Sequence, residues 1–195
     1  MAYSKFTIDK LIERFNIKII DSESFLSTKP VAVSDWLKKS MDLAFDSPLL
    51  SEKARSELIV SPILQEIRTL NNKQVSIFSG FNLDVDLKQE LNGECDFILV
   101  KGNTKFLVET PILGIVEAKK QDLDLGIPQV IAQLIGAINF KNNNIKEVFG
   151  AVTTGEIWQF LKLDKDYNVF IDKKKYYINN IEEILGVLQF IVNSY

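Results

Sequence analysis

The chain has 195 residues, 46% of them apolar and 25% charged, so it can bury the core of one domain or of one domain with an appended subdomain. The net charge of −3 lacks the basic footprint that nucleic-acid-binding proteins usually carry, and the single cysteine, Cys95, excludes an intrachain disulfide. The absence of histidine excludes Ser-His-Asp and Cys-His catalysis and zinc sites that need imidazole, which leaves carboxylates, lysine, hydroxyl groups and a hard metal ion for any catalysis.

The apolar runs of the chain favour a cytoplasmic protein with no membrane partner. The start, Met1 to Phe6, lacks the apolar run that follows the charged region of a signal peptide. No stretch reaches the roughly 18 consecutive apolar residues that a membrane span needs. A lone cysteine also fits a reducing compartment.

The first 50 residues are predicted to form a helical N-terminal extension. Apolar residues at helical spacing indicate one helix between Phe6 and Phe15 and a second between Val33 and Phe45. Ser47-Pro48 then breaks the chain. We expect residues 51–195 to form the main domain.

The main domain is predicted to alternate helices and strands. A helix from Ser51 to about Leu70 carries Pro62, which predicts a kink. Two further helices are expected at Ile127–Phe140 and Ile181–Val192. Runs of strand-forming residues predict strands at Val75–Phe78, Glu94–Val100, Ile112–Lys119, Val148–Thr153, Ile157–Leu163, Val169–Ile171 and Tyr176–Ile178. This order predicts an α/β fold in which helices pack against a central sheet.

Two strands carry the residues that suggest chemistry. Alternate residues of a strand share a face, so Glu117 and Lys119 project side by side from the end of an apolar strand. Asp96 lies on the strand expected to be its neighbour. Two carboxylates and the Ala118 backbone carbonyl can hold Mg²⁺ or Mn²⁺, which can bind a phosphate oxygen and lower the pKa of a water. Lysine can orient or deprotonate that water, so the set predicts phosphodiester hydrolysis.

This prediction depends on how the two strands are joined. A tight hairpin at Gly102-Asn103 would place Asp96 opposite about Glu109, and Glu117 would then lie ~26 Å further along. The metal site requires residues 101–111 to form a loop, with strand pairing resumed after that segment, whose last residue is a proline.

Asp96 followed by Glu117-Ala118-Lys119 resembles the PD-(D/E)xK nuclease superfamily. Several segments are similar to one uncharacterised bacterial, often cyanobacterial, branch that resembles the nuclease domain of type I restriction enzymes, and the resemblance extends over most of the chain. These segments are Ser51–Glu57, Cys95–Leu99, Ile115–Lys120, Gly126–Gln129, Val152–Gly155 and Trp158–Leu163. The chain departs from the family pattern at Cys95, which replaces the proline of Pro-Asp, and at Gln133, which replaces the tyrosine of a Gln-x-x-x-Tyr motif.

The resemblance implies a restriction-endonuclease-like core, formed by a helix, a three-stranded antiparallel sheet, a helix and a further strand. It implies an Mg²⁺- or Mn²⁺-dependent endo- or exodeoxyribonuclease that acts on DNA. Glu57 on the first core helix matches an additional metal ligand, and Gln129 matches a site residue on the helix after the motif. Because many members pair so that two sites cut two strands, a homodimer is also an expectation.

Two other interpretations stay open at this point. A catalytically silent nuclease-fold domain that binds nucleic acid or a partner protein would fit the net charge of −3. An interaction domain with a chance motif would place Asp96 and Glu117 far apart. Lys173-Lys174-Lys175 is interpreted as a charged turn between two strands, although it could also contact a DNA backbone.

Overall fold

Seven β-strands form one mixed sheet with helices on both faces, which confirms the α/β class. The computed structural model describes residues 3–22, 28–142 and 145–195. Residues 1–2 and 23–27 of the predicted extension therefore lie outside the described residues. The sheet is larger than the three strands and one further strand that we predicted for the core.

The strands lie in the order β1-β7-β6-β5-β4-β3-β2 across the sheet. Their bounds are β1 (Lys18–Ser22), β2 (Val75–Asn82), β3 (Glu94–Lys101), β4 (Ile112–Ala118), β5 (Glu147–Thr153), β6 (Ile157–Asp164) and β7 (Asn168–Tyr177). Neighbours are antiparallel except for the parallel pairs β4–β5 and β1–β7. A helix joins β4 to β5, as the return path of a parallel connection requires.

Within the described residues, six α-helices accompany the sheet. They are α1 (Ile8–Phe15), α2 (Asp35–Phe45), α3 (Glu52–Arg55), α4 (Ser61–Leu70), α5 (Ile127–Asn139) and α6 (Ile181–Asn193). Thr7, Ser34 and Ser51 precede the first three helices, and each side-chain oxygen accepts a hydrogen bond from the backbone N–H three residues later. These bonds satisfy a donor that has no partner inside the helix, so they fix where each helix begins.

Because successive side chains of a strand point to opposite faces of the sheet, the apolar residues form two cores, one on each face. In β6, Leu161 and Leu163 pack into the core that α5 and α1 cover. Trp158 and Phe160 point to the opposite core, which α2, α4 and α6 cover. The central strand β4 is buried along its whole length, as expected of a strand covered on both faces.

The predicted kink at Pro62 is a short π-helical segment, Ser56–Val60, that joins α3 to α4. The backbone N–H of Ser61 donates to the carbonyl of Ser56, five residues earlier. Proline has no N–H to donate, so the wider π-helical turn before Pro62 loses no backbone hydrogen bond at that residue.

The structure corrects two expectations at one edge of the sheet. The first 50 residues are not entirely helical, because β1 lies among them and pairs in parallel with β7. Lys173-Lys174-Lys175 is not a turn, because the two predicted strands around it are one strand, β7. The strand β1 depends on pairing with a distant part of the chain, which local composition does not report, whereas Lys175 pairs with Gln159 of the preceding strand. No helix in the described ranges is both long and apolar enough to cross a membrane.

Candidate functional site

The connection between β3 and β4 decides whether the predicted residues meet. Residues 102–111 form a loop, and the antiparallel ladder pairs Phe97 with Val116. Asp96 and Glu117 are the next residues at the same end of the two strands. The interpretation that placed these two carboxylates far apart is therefore wrong on that point.

Asp96 lies where β3 and β4 separate. Its Oδ2 atom accepts a hydrogen bond from the backbone N–H of Ala118 at 2.7 Å, so the carboxylate replaces a strand partner. The N–H and C=O of one strand residue point to the same side, so the Ala118 carbonyl is also directed toward β3. Burial raises the pKa of the Asp96 carboxyl, while the bond from Ala118 and the charge of Lys119 act in the opposite direction.

Glu117 is the most enclosed of the three charged side chains of the site, with 3% of its surface exposed. The Nε2 atom of Gln133 donates to Glu117 Oε2 at 2.8 Å. Lys119 Nζ donates to Glu117 Oε1 at 2.8 Å, and the Gln129 amide donates to the same oxygen. Lys119 Nζ also lies 3.1 Å from Gln129 Oε1, so one network fixes all four side chains.

The start of α5 brings the two glutamines to Glu117. Residues four positions apart share one face of a helix, so Gln129 and Gln133 both project toward the sheet. Gly126 precedes the helix, and a Cβ atom there would lie 2.5 Å from Val152 Cγ1 and 3.2 Å from Lys119 Cγ. Only glycine allows this close approach, which sets the distance between α5 and the end of β4.

The Glu117 carboxyl holds its proton unusually tightly. Burial, followed by the negative charge of Asp96, raises its pKa from 4.5 to about 7, against the opposing effects of Lys119 and Gln133. Two acids that disfavour each other's ionisation in a poorly solvated place are typical of sites that bind a cation or transfer a proton.

An open cleft of about 320 Å³ lies beside Asp96. Most of its lining is polar, and four carboxylates contribute: Glu52, Glu57, Glu94 and Asp96. Glu57 thus lines the same cleft as Asp96, while its role as a metal ligand stays a prediction. Its side chain is 63% exposed, however, and its nearest charged partner is Lys53, at 3.8 Å.

Within the residues that the structure describes, no three His, Cys, Asp or Glu side chains are grouped so that they could hold a metal ion. Asp96, Glu117, Lys119 and Gln129 are brought together, whereas Glu57 does not join their network.

Sequence reasoning missed the role of Gln133, which it treated only as a departure from a family motif. The residue is completely buried and bonded to Glu117, while its own Oε1 atom has no hydrogen-bond partner. Its position four residues after Gln129 could have indicated a shared face. No model of a known protein family matches the chain, and no curated protein matches it.

Proposed function

We propose that the chain is an Mg²⁺- or Mn²⁺-dependent nuclease with a restriction-endonuclease-like core, which hydrolyses phosphodiester bonds in DNA. One observation carries the proposal: Asp96, Glu117 and Lys119 meet at the end of two adjacent strands, beside an open cleft. Endo- or exonuclease action and pairing into a homodimer stay predictions.

The donor set fits a hard divalent cation. Mg²⁺ usually keeps several waters and takes only one or two protein carboxylates, with substrate phosphates as further ligands, so a cluster of three acids is not required. Asp96 and Glu117 would hold the ion, with the Ala118 carbonyl as a further oxygen and Glu57 as an outer ligand across the cleft. When bound, the ion would neutralise phosphate charge and lower the pKa of a water.

Lys119 would orient the attacking water and stabilise charge on the phosphate. Its ammonium group is held by Glu117 and Gln129, and its side chain is 18% exposed, so it is both positioned and accessible. Gln129 contacts both Lys119 and Glu117 and would hold the two charged groups in fixed positions relative to each other. Such preorganised charges need little rearrangement during the reaction.

A second candidate is a nuclease-like domain that binds DNA or a partner protein without cutting. The observation that favours it is that both oxygens of Glu117 already accept hydrogen bonds from side chains of the chain itself. A cation would have to compete with these donors for Glu117.

The test combines Mn²⁺ calorimetry with incubation of plasmid and single-stranded DNA. We expect the native protein to bind the ion and cleave, and Asp96→Asn to lose both properties. Lys119→Met should bind the ion but cleave roughly 100-fold more slowly or worse, since positioned proton-transfer groups contribute about 10² to 10⁴ in rate. The control is Asp166→Asn, in the exposed turn after β6, at the strand ends opposite the site.

The outcomes separate the two candidates. Binding of Mn²⁺ by the native protein without cleavage of either DNA would favour the silent domain. Failure of the native protein to bind Mn²⁺ would overturn the nuclease. Equal losses in Asp166→Asn and Asp96→Asn would show that the effects are not specific to the site.

A further inference from the structure

A second charged feature of the sheet lies on the same side as the strand ends that carry the site. Glu117 is the register partner of Val152, Val152 is paired with Gln159, and Gln159 is paired with Lys175 on β7. These residues form a row across four strands. Three spacings of about 4.8 Å place Lys175 about 14 Å from Glu117 along this row.

Lys175 projects from the same face of the sheet as Glu117. Glu117 points toward α5, where it meets the two glutamines. Paired residues on adjacent strands share a face, and Trp158, the neighbour of Gln159, packs into the opposite core. Gln159 and Lys175 therefore lie on the α5 side.

The three consecutive lysines of β7 have different surroundings. Lys174 donates to Glu183 at 2.5 Å and lies 4.7 Å from the centre of the Tyr176 ring, so it ties β7 to α6. Lys173 and Lys175 are exposed, and within the described part of the chain neither side chain forms an ion pair or hydrogen bond. Two cationic groups are thus available beside the site.

The opposite flank of the site has the opposite charge. The cleft next to Asp96 carries Glu52, Glu57 and Glu94. A polyanion that approaches these strand ends would be repelled by that flank and attracted by β7. An uneven charge distribution of this kind can orient a ligand even when the net charge is −3.

We propose that Lys173 and Lys175 form a surface that binds the sugar-phosphate backbone of the DNA strand that enters the site. The proposal rests on the proposed nuclease function and adds the direction in which the strand runs. At an axial rise of about 3.4 Å per nucleotide, the distance of about 14 Å places the contacted phosphates within about four nucleotides of the phosphate at the site.

The test is fluorescence-anisotropy titration of labelled duplex and single-stranded DNA at several salt concentrations, in EDTA to prevent cleavage. The binding constant K falls as salt rises, and each lost phosphate contact reduces the magnitude of the slope of log K against log salt by about 0.9 on duplex DNA and about 0.7 on single strands. We expect the double variant Lys173→Gln/Lys175→Gln to weaken binding. The magnitude of its salt slope should fall by about 1.8 on duplex DNA and by about 1.4 on single strands.

The matched control is Lys146→Gln/Lys165→Gln, which removes two exposed lysines at the strand ends opposite the site. These two residues are neighbours, since the backbone N–H of Lys165 donates to the carbonyl of Lys146. The control variant should bind DNA as the native protein does. Unchanged affinity and slope in the β7 variant, an equal loss in the control, or no DNA binding by the native protein would overturn the proposal.

Cleavage assays on the same proteins keep the two proposals distinguishable. A native protein that binds through Lys173 and Lys175 but never cleaves with Mg²⁺ retains this surface and loses the nuclease function. A native protein that cleaves, and whose binding ignores both lysines, retains the nuclease function and loses this surface.

Discussion

Two buried carboxylates, Glu117 on β4 and Asp172 on β7, have contrasting surroundings. Asp172 is fully buried, and its oxygens accept the backbone N–H of Lys174 at 2.9 Å and the hydroxyl of Tyr176 at 3.0 Å. Glu117 also has donors on both oxygens, but it lies near a second carboxylate, Asp96, whose charge helps to raise its pKa to about 7.

The contrast shows that burial alone does not mark a functional acid. Asp172 has only neutral donors around it, and its carbonyl accepts a bond from Gln159 at 3.2 Å where the register of β6 and β7 shifts. It therefore holds an irregular strand in place. Glu117 shares a poorly solvated space with another acid, an arrangement that destabilises the ionised protein by more than Lys119 offsets, so a bound metal cation would stabilise it.

The largest expected difference between the two acids is in cleavage rate. We expect Glu117→Gln to reduce metal-dependent cleavage of plasmid DNA roughly 1,000-fold, because a metal-bound carboxylate supports several kcal/mol of transition-state stabilisation. Gln133 can rotate its unpartnered oxygen toward the new amide, so the fold should tolerate the change. Initial rates at saturating Mg²⁺ give the measurement.

Asp172→Asn is the matched acid-to-amide control for this experiment. Its cleavage rate should equal that of the native protein at a temperature at which the variant is folded. A comparable loss in both variants would place Asp172 in the catalytic machinery and would remove the distinction between the two acids.

The next effect concerns the stability of the metal-free protein in EDTA. Since the pKa of Glu117 is raised from 4.5 to about 7, the folded protein binds this proton more tightly than the unfolded chain does. The resulting stabilisation is complete below pH 4.5 and is lost as the pH rises through about 7. At about 1.4 kcal/mol per pKa unit, the loss amounts to about 3 kcal/mol.

Urea denaturation of the native protein and of Glu117→Gln across this pH range measures that loss as a difference. The native protein should lose stability relative to the variant as the pH rises, and added Mg²⁺ should restore it. Parallel stability curves for the two proteins would show that Glu117 titrates normally.

Asp172→Ala should have a smaller effect on stability than the full loss expected at Glu117. It leaves the buried hydroxyl of Tyr176 and the backbone N–H of Lys174 without an acceptor. We expect a loss of about 2 kcal/mol, which lowers the melting temperature of a chain of this size by about 4 to 8 °C. A melting temperature equal to that of the native protein would show that water replaces both bonds.

The sequence predicted the relative orientation of Glu117 and Lys119 better than it predicted the sheet. Strand alternation placed Glu117 and Lys119 on one face, and their ion pair shows that they do share it. The sequence predicts the loop at residues 101–111 only as a requirement of the metal site, since short-range patterns do not set register. The loop in the structure spans residues 102–111. The strand β1 was missed because it exists only through pairing with β7, about 150 residues away.

The buried polar groups escaped prediction for a related reason. Gln133 and Gln159 stand in apolar segments and Asp172 stands between an apolar run and three lysines, and nothing local distinguishes a polar residue that faces a core from one that faces solvent. The partners of Gln133 and Gln159 come from other strands, so only the assembled fold identifies them. Asp172 bonds to Tyr176 of its own strand, at the point where the register of β6 and β7 shifts.

The smallest expected effect isolates the contribution of Gln133 to the state of Glu117. Gln133→Met keeps the size of the side chain but removes both the donor to Glu117 and the buried oxygen that has no partner. The two changes oppose each other, so stability at low pH should change by less than about 1 kcal/mol. The pKa of Glu117 should nevertheless rise further, because one of the groups that lower it is lost.

The ¹³C chemical shift of the Glu117 carboxyl, followed by NMR in EDTA, measures this pKa directly. Gln159→Met is the matched control, since Gln159 also carries a buried oxygen without a partner but bonds to the Asp172 carbonyl instead of Glu117. Only Gln133→Met should move the titration midpoint upward. If neither variant moves it, burial and Asp96 alone set the pKa of Glu117; if both do, the midpoint reports general loosening of the core, and Gln133 has no specific role.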